Sequence, residues 1–201
     1  MQRPHCRCGL PLSSARRGEE DYVLCGRCVL NPPPFRQLVV ARRWGFPLDR
    51  LISGYKYRGA LSLEPALLRI WTLDMGRCPK APPDALVPVP LHWRRHWWRG
   101  FNQAGRLALG LGAHHRLPVL HALARARATP AQQTLSSRAR RMGPRGSFRV
   151  RGSVEGLHLA LVDDVVTTAS TVREAARVLR AAGAARVDVW ALARALPSRD
   201  D

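Results

Sequence analysis

Leu159-Ala160-Leu161-Val162-Asp163-Asp164-Val165-Val166-Thr167-Thr168-Ala169-Ser170-Thr171 is the stretch on which the reading of this chain turns. Its first four residues are apolar, as in a buried β-strand, and the run ends on two adjacent carboxylates. A loop of small hydroxyl side chains follows, then a helix. Val172, Ala175, Ala176 and Leu179 share one helix face, with Arg173, Arg177 and Arg180 mostly turned away from it. Strand, acidic pair, hydroxyl loop and helix N-terminus make a place to hold a sugar phosphate. The loop amides and helix start favour an anion, and the hydroxyls donate hydrogen bonds to it. The carboxylates one step earlier can accept from a pair of vicinal ribose hydroxyls.

That division of labour suits 5-phosphoribosyl pyrophosphate, PRPP. All thirteen positions resemble the PRPP-binding signature of type I phosphoribosyltransferases. Ala169 stands where that loop often has Gly, a departure that restricts the backbone slightly. An apolar strand ending in two Asp also suits the Walker B arm of an ATPase, but the chain contains no G-x-x-x-x-G-K-[ST]. A response-regulator receiver carries its acidic pair after the first strand. Here only a helix and one more strand follow.

Composition sets the bounds. A chain of 201 residues suits one full domain with a small appendage, and an apolar fraction of 46% is enough for a sizeable core. Charge is the outlier: 33 basic residues against 14 acidic, net +19. Only Lys56 and Lys80 are lysines, so the excess is arginine. Such a balance points to a polyanionic partner, most simply nucleic acid. No apolar run approaches the roughly eighteen residues of a membrane span, and no signal-peptide core opens the chain. A soluble, cytoplasmic protein is expected.

Residues 1–34 read as a separate unit, and residues 35–201 as the main domain. The first unit holds Cys6, Cys8, Cys25 and Cys28. Cys25-x2-Cys28 is a good half of a zinc ribbon, and the 16 residues between Cys8 and Cys25 are within the usual range. The other half is irregular, because Cys6-x-Cys8 is short for a knuckle; His5-x2-Cys8 restores the spacing, with Gly9 in the turn. Two ligand sets therefore compete, Cys6 or His5 with the other three cysteines. So short a segment, poor in large apolar residues, needs a metal or crosslink to fold, and in the cytoplasm structural Zn²⁺ is favoured over a disulfide. Cys78, alone in a Pro-rich loop, reads as a bystander.

Pro32-Pro33-Pro34 is a stiff linker. Beyond it, strands are expected at Leu38–Ala41 and Ala85–Val89, with helices at Leu48–Lys56, Leu61–Leu73 and Gln103–Leu111. After the opening stretch, its helix runs to Ala182 and stops at Gly183, and Arg186–Ala193 is a last strand. The alternation predicts an α/β fold with a mainly parallel sheet flanked by helices.

The segment from Pro88 to Ala104 is too basic and aromatic to be ordinary core. Arg94, Arg95 and Arg99 interleave with Trp93, Trp97 and Trp98, combining phosphate contacts with surfaces on which bases can stack. A half-buried flap, with the tryptophans packed under the arginines, is the plain alternative. Gly100 and Asn102 precede a helix, which makes a second anion site.

Taken in order, these features resemble the competence protein F (ComF/ComFC) family of phosphoribosyltransferase-like proteins. They are a zinc ribbon, Lys56 to Gly59 (Lys-Tyr-Arg-Gly), Val87 to Pro90 (Val-Pro-Val-Pro), Arg99 to Gln103 (Arg-Gly-Phe-Asn-Gln), a Gly-x-Phe and the PRPP loop. His5 stands where a Cys is usual, and Arg141 to Pro144 lacks an Asn often found there. The resemblance implies a type I phosphoribosyltransferase-like fold with a small N-terminal zinc ribbon. It further implies that Asp163 and Asp164 hold the ribose hydroxyls and the water shell of Mg²⁺, and that the loop of Thr167, Thr168, Ala169, Ser170 and Thr171 holds the 5-phosphate. Arg99, Gly100, Asn102 and Lys56 would meet pyrophosphate. In type I enzymes a loop closes over PRPP in the region of Arg138, Arg140, Arg141 and Arg145. The functions implied are PRPP binding in a protein of single-stranded DNA uptake for natural transformation, with other competence proteins as partners, or transfer of phosphoribose to a base or amine. The chain shows no base-recognition segment after its last strand.

Overall fold

The computed structural model describes residues 5–12, 24–75, 81–91, 100–126 and 146–195. In chain order these form α1 (Gly26–Leu30), β1 (Leu38–Arg43), α2 (Leu48–Tyr57), a 3₁₀ turn (Leu61–Leu63) running into α3 (Glu64–Met75), and β2 (Ala85–Pro88). Then come α4 (Gln103–His115), β3 (Leu123–Arg125), β4 (Phe148–Val150), β5 (His158–Val166), α5 (Ser170–Ala181) and β6 (Arg186–Arg194). Trp93, Arg94, Arg95, Trp97, Trp98 and Arg99 lie outside the described residues, as do Cys78, Arg138, Arg140, Arg141 and Arg145.

Four strands make one sheet in the order β1-β6-β5-β2, and every pairing is parallel. Parallel strands need both faces covered, and the apolar residues of β5 show how this is met. Leu159 and Leu161 join the core under α5 with Val172, Ala175, Ala176 and Leu179. Ala160 and Val162 join the opposite core with Ile52 of α2, Trp71 of α3 and Leu107 of α4. The expected alternation of strands and helices is thus a three-layer α/β sandwich.

Two details depart from the sequence reading. The strand does not end on the acidic pair. Val165 and Val166 are β-branched and stay paired with Ala193 and Arg194, so Asp163 and Asp164 sit inside the carboxyl end of β5. Secondly, β3 and β4 form an antiparallel pair apart from the main sheet, Leu123 opposite Val150 and Arg125 opposite Phe148. Three residues each are too few to show alternation in a sequence.

The cysteine-bearing segment docks on the edge strand. Leu38 N donates to Arg7 O at 2.9 Å, and Arg7 Nε donates to Phe35 O at 2.7 Å. Gly9 has φ +76° and lies so close to β1 that a Cβ there would collide with the Leu38 side chain.

Candidate functional site

The carboxyl ends of β2 and β5 and the amino ends of α4 and α5 open on one cavity of about 830 Å³. In open parallel sheets this is where ligands bind, and the volume is ample for a nucleotide-sized molecule. Asp163, Asp164, Thr167 and Thr171 line it from β5 and α5, and Lys56 from the last turn of α2.

The two carboxylates are not equivalent. Asp164 is buried, and its Oδ1 accepts from Lys56 Nζ at 2.7 Å and from Val165 N at 2.6 Å. Asp163 Oδ1 accepts from Asp164 N at 3.0 Å. Burial, then the charge of Asp164, push the Asp163 carboxyl up to about 7, against the opposing pull of Lys56 and Arg125. Lys56, expected on pyrophosphate, therefore already carries one ion pair inside the cavity. Its place is set by Tyr55, which is fully buried, donates from its hydroxyl to Glu64 Oε2 at 2.8 Å, and packs edge-on against Phe101 at 5.3 Å. That contact sets the residue just before the Lys-Tyr-Arg-Gly segment against the Phe of Arg-Gly-Phe-Asn-Gln.

The hydroxyl loop turns tightly into α5. Ala169, the residue before the helix, has φ +63°, so the position does need the left-handed backbone for which Gly is the usual residue. Thr168 Oγ1 lies 3.0 Å from Ser170 Oγ. The first amides of α5 have no partners within the helix and open toward the loop.

Across the cavity, Asn102 precedes α4 and its Nδ2 donates to Val89 O at 3.3 Å. Among the described residues its Oδ1 is buried without a partner, and so are both amide atoms of Gln103, a side chain only 1% exposed. Buried amides left unpaired are costly, and lining a cavity they mark a place for a ligand's polar groups. Nothing in the Arg-Gly-Phe-Asn-Gln motif marks Gln103 for this role. Arg125 is still less conspicuous in the sequence. It reaches the cavity from β3, with Nε donating to Pro90 O at 3.1 Å and its guanidinium 4.3 Å over the Phe148 ring. Only its place in an Arg-rich run hinted at it.

The cysteines form a second site. The Sγ atoms of Cys6, Cys8, Cys25 and Cys28 all lie within 4.8 Å of one another, and Cys8 Sγ is 3.8 Å from Cys25 Sγ. Thiolates about 2.3 Å from a tetrahedral Zn²⁺ would be about 3.8 Å apart, so the donor set fits a metal of that kind. His5 is exposed and stands outside the group, its backbone bridged to Pro11. The short Cys6-x-Cys8 spacing works because Gly9 N donates back to Cys6 O at 2.7 Å, while Cys25 N points at Cys6 Sγ from 3.1 Å.

The model of the phosphoribosyl transferase domain matches residues 99–200, which contain the β5 carboxylates, the hydroxyl loop and the α4 amides. The chain belongs to this family. Within it, the ComF branch is shown by two relatives. DNA utilization protein YhgH of Escherichia coli (strain K12) is 40% identical over 94% of this chain and 83% of its own length. Competence protein F of Haemophilus influenzae is 33% identical over 85% of this chain and 78% of its own. Among solved structures, the glutamine phosphoribosylpyrophosphate (PRPP) amidotransferase from B. subtilis is similar at 22% identity over 69% of this chain and 30% of its own, with a TM-score of 0.48. In this ComF-family phosphoribosyltransferase-like chain, the four-cysteine group precedes the domain match. Among the described residues no helix is long and apolar enough to cross a membrane.

Proposed function

We propose that the cavity binds PRPP and that the protein handles single-stranded DNA in the cytoplasm during DNA uptake, together with other competence proteins. One observation carries the PRPP reading: an acidic pair and a hydroxyl loop at a helix start face, across a single cavity, unpaired amides at a second helix start. Asp163 and Asp164 would accept from the ribose hydroxyls, Thr167 to Thr171 would hold the 5-phosphate, and Gln103 Nε2 and Arg99 would donate to the pyrophosphate beside Asn102. Mg²⁺, when bound with PRPP, would neutralise pyrophosphate charge. The residues present suit it, because Asp163 offers the cavity a carboxylate while Asp164 is already neutralised by Lys56.

The four cysteines would hold Zn²⁺ as a structural ion. The DNA reading draws on the net charge of +19, the Trp93–Arg99 segment and the names of the relatives. Titration calorimetry with PRPP and Mg²⁺ tests the first half, and single-strand binding against salt tests the second. Micromolar PRPP binding lost in Asp163→Asn/Asp164→Asn, with DNA binding kept and falling steeply with salt, is the expected result. DNA affinity indifferent to salt defeats the DNA reading.

The unpaired amides also favour a second reading, an active transferase. The C1–oxygen bond of PRPP would break, pyrophosphate would leave, and an amine or base nitrogen would take the sugar carbon. Pyrophosphate release with a panel of bases and amines tests it, and no turnover on any of them sinks it.

A further inference from the structure

The cysteine group and the phosphate loop are joined by two arginines, one at each end of the loop. Arg194, last residue of β6, is only 4% exposed. Its Nη1 donates to Val166 O at 3.0 Å and Ala195 O at 2.9 Å, and its Nε donates to Cys8 O at 3.3 Å. Val166 ends β5 and starts the loop; Cys8 is one of the four thiol residues. At the loop's other end Arg173, in the first turn of α5, donates from Nη2 to Asn31 O at 2.7 Å, Asn31 Oδ1 at 2.9 Å and Pro32 O at 3.0 Å. Asn31 caps α1, the short helix that carries Cys28.

A buried guanidinium with three carbonyl acceptors in fixed directions cannot adjust one end without disturbing the other. If the metal group loosens, Cys8 O moves, and Arg194 loses an acceptor or shifts from Val166. Arg7 and Gly9 fix this turn to β1, and the metal would fix the Cys8 sulfur within it.

We infer that Arg194 and Arg173 are positioning residues through which metal occupancy of the cysteine group sets the order of the phosphate loop. Coupling of this kind is reciprocal: metal tightens phosphate binding, and the phosphate ligand tightens metal binding by the same factor. That second consequence rests on the PRPP reading; the ordering of the loop does not.

Hydrogen exchange of the Asp163–Arg173 peptide, on zinc-loaded and chelated full-length protein, tests the ordering directly. Chelation is expected to speed loop exchange about fivefold or more in the wild type, while the β2 peptide at the opposite edge of the sheet changes little. Unchanged loop exchange overturns the inference, whatever PRPP does. The reciprocal arm measures zinc affinity by competition with a coloured chelator, with and without PRPP. PRPP is expected to tighten zinc binding about fivefold in the wild type, with the ratio falling toward one in Arg194→Met. An arginine with a merely structural role would change both affinities and leave their ratio intact, and that result overturns the proposal. Arg173→Ala, at a less buried position, gives the same reading should Arg194→Met fail to fold. If PRPP fails to bind zinc-loaded wild type at all, the PRPP reading falls, and the exchange arm still decides the inference.

Discussion

Lys56 Nζ sits 2.7 Å from Asp164 Oδ1, both side chains largely shielded from water. Removing one partner of such a pair leaves a buried charge beside the second carboxylate. Lys56→Met is expected to lower stability by about 2 kcal/mol near pH 8 and by less near pH 5, where protonation relieves the repulsion. Adding Asp164→Asn should recover most of the loss. Denaturant unfolding of the single and double variants at both pH values checks this; a double variant no more stable than the single one would refute the coupling.

Asp163, with its carboxyl raised from 3.8 to about 7, gives two pH trends of opposite sense. The folded protein holds this proton where the unfolded chain has released it. Its contribution to stability is therefore full below about 4 and is lost as pH rises to about 7. Ligand binding through the carboxylate runs the other way, and PRPP affinity should fall as pH drops from 8 to 6. Asp163→Asn is expected to flatten the stability trend, raise ligand-free stability at pH 8, and abolish PRPP binding. Thermal melts and calorimetry across that range measure both.

At Ala169 the left-handed backbone disfavours a Cβ, but the methyl group lies in the core under α5. The strain of about 1 kcal/mol and a similar loss of apolar burial nearly cancel, so Ala169→Gly should stay within about 1 kcal/mol of wild type. Ala169→Val adds a β-branched side chain to the same conformation and should lose at least about 2 kcal/mol. Equal stability of all three would show that the turn is made differently.

Metal analysis separates the two ligand sets. Cys6→Ser and Cys25→Ser are expected to lose bound zinc, whereas His5→Ala keeps it in full, because among the described residues the four cysteine sulfurs converge and His5 stands apart. Loss of zinc in His5→Ala with retention in Cys6→Ser would reverse the assignment.

Much of this was legible in the residues. Val172, Ala175, Ala176 and Leu179 show their buried face through simple periodicity, and a strand of consecutive apolar residues implies cover on both sides. The thirteen-residue stretch carries its chemistry locally, so acid pair, loop and helix start were readable without a fold. What stayed hidden depends on partners far apart in the chain. Lys56 is one of two lysines, yet nothing near it announces Asp164, 108 residues on. Gln103 becomes notable only when burial shows its amide unpaired. Arg194 is one arginine among many until its carbonyl partners are known.

The order of the sheet also bears on how the protein is made. β6 lies between β1 and β5 in space, although it is the last of the described strands to be synthesised. Until it emerges from the ribosome, β1 has no strand beside it among those described, and the hydroxyl loop lacks the guanidinium that ties down Val166. A nascent chain must therefore keep β1, β2 and β5 from pairing wrongly while it waits for residues 186–194, a delay that favours chaperone engagement. A chain stopped at residue 185 is expected to be recovered as aggregate, and one completed through residue 195 as folded protein, in pulse-labelled sedimentation of the two products. Late truncation in this topology removes the middle of the molecule.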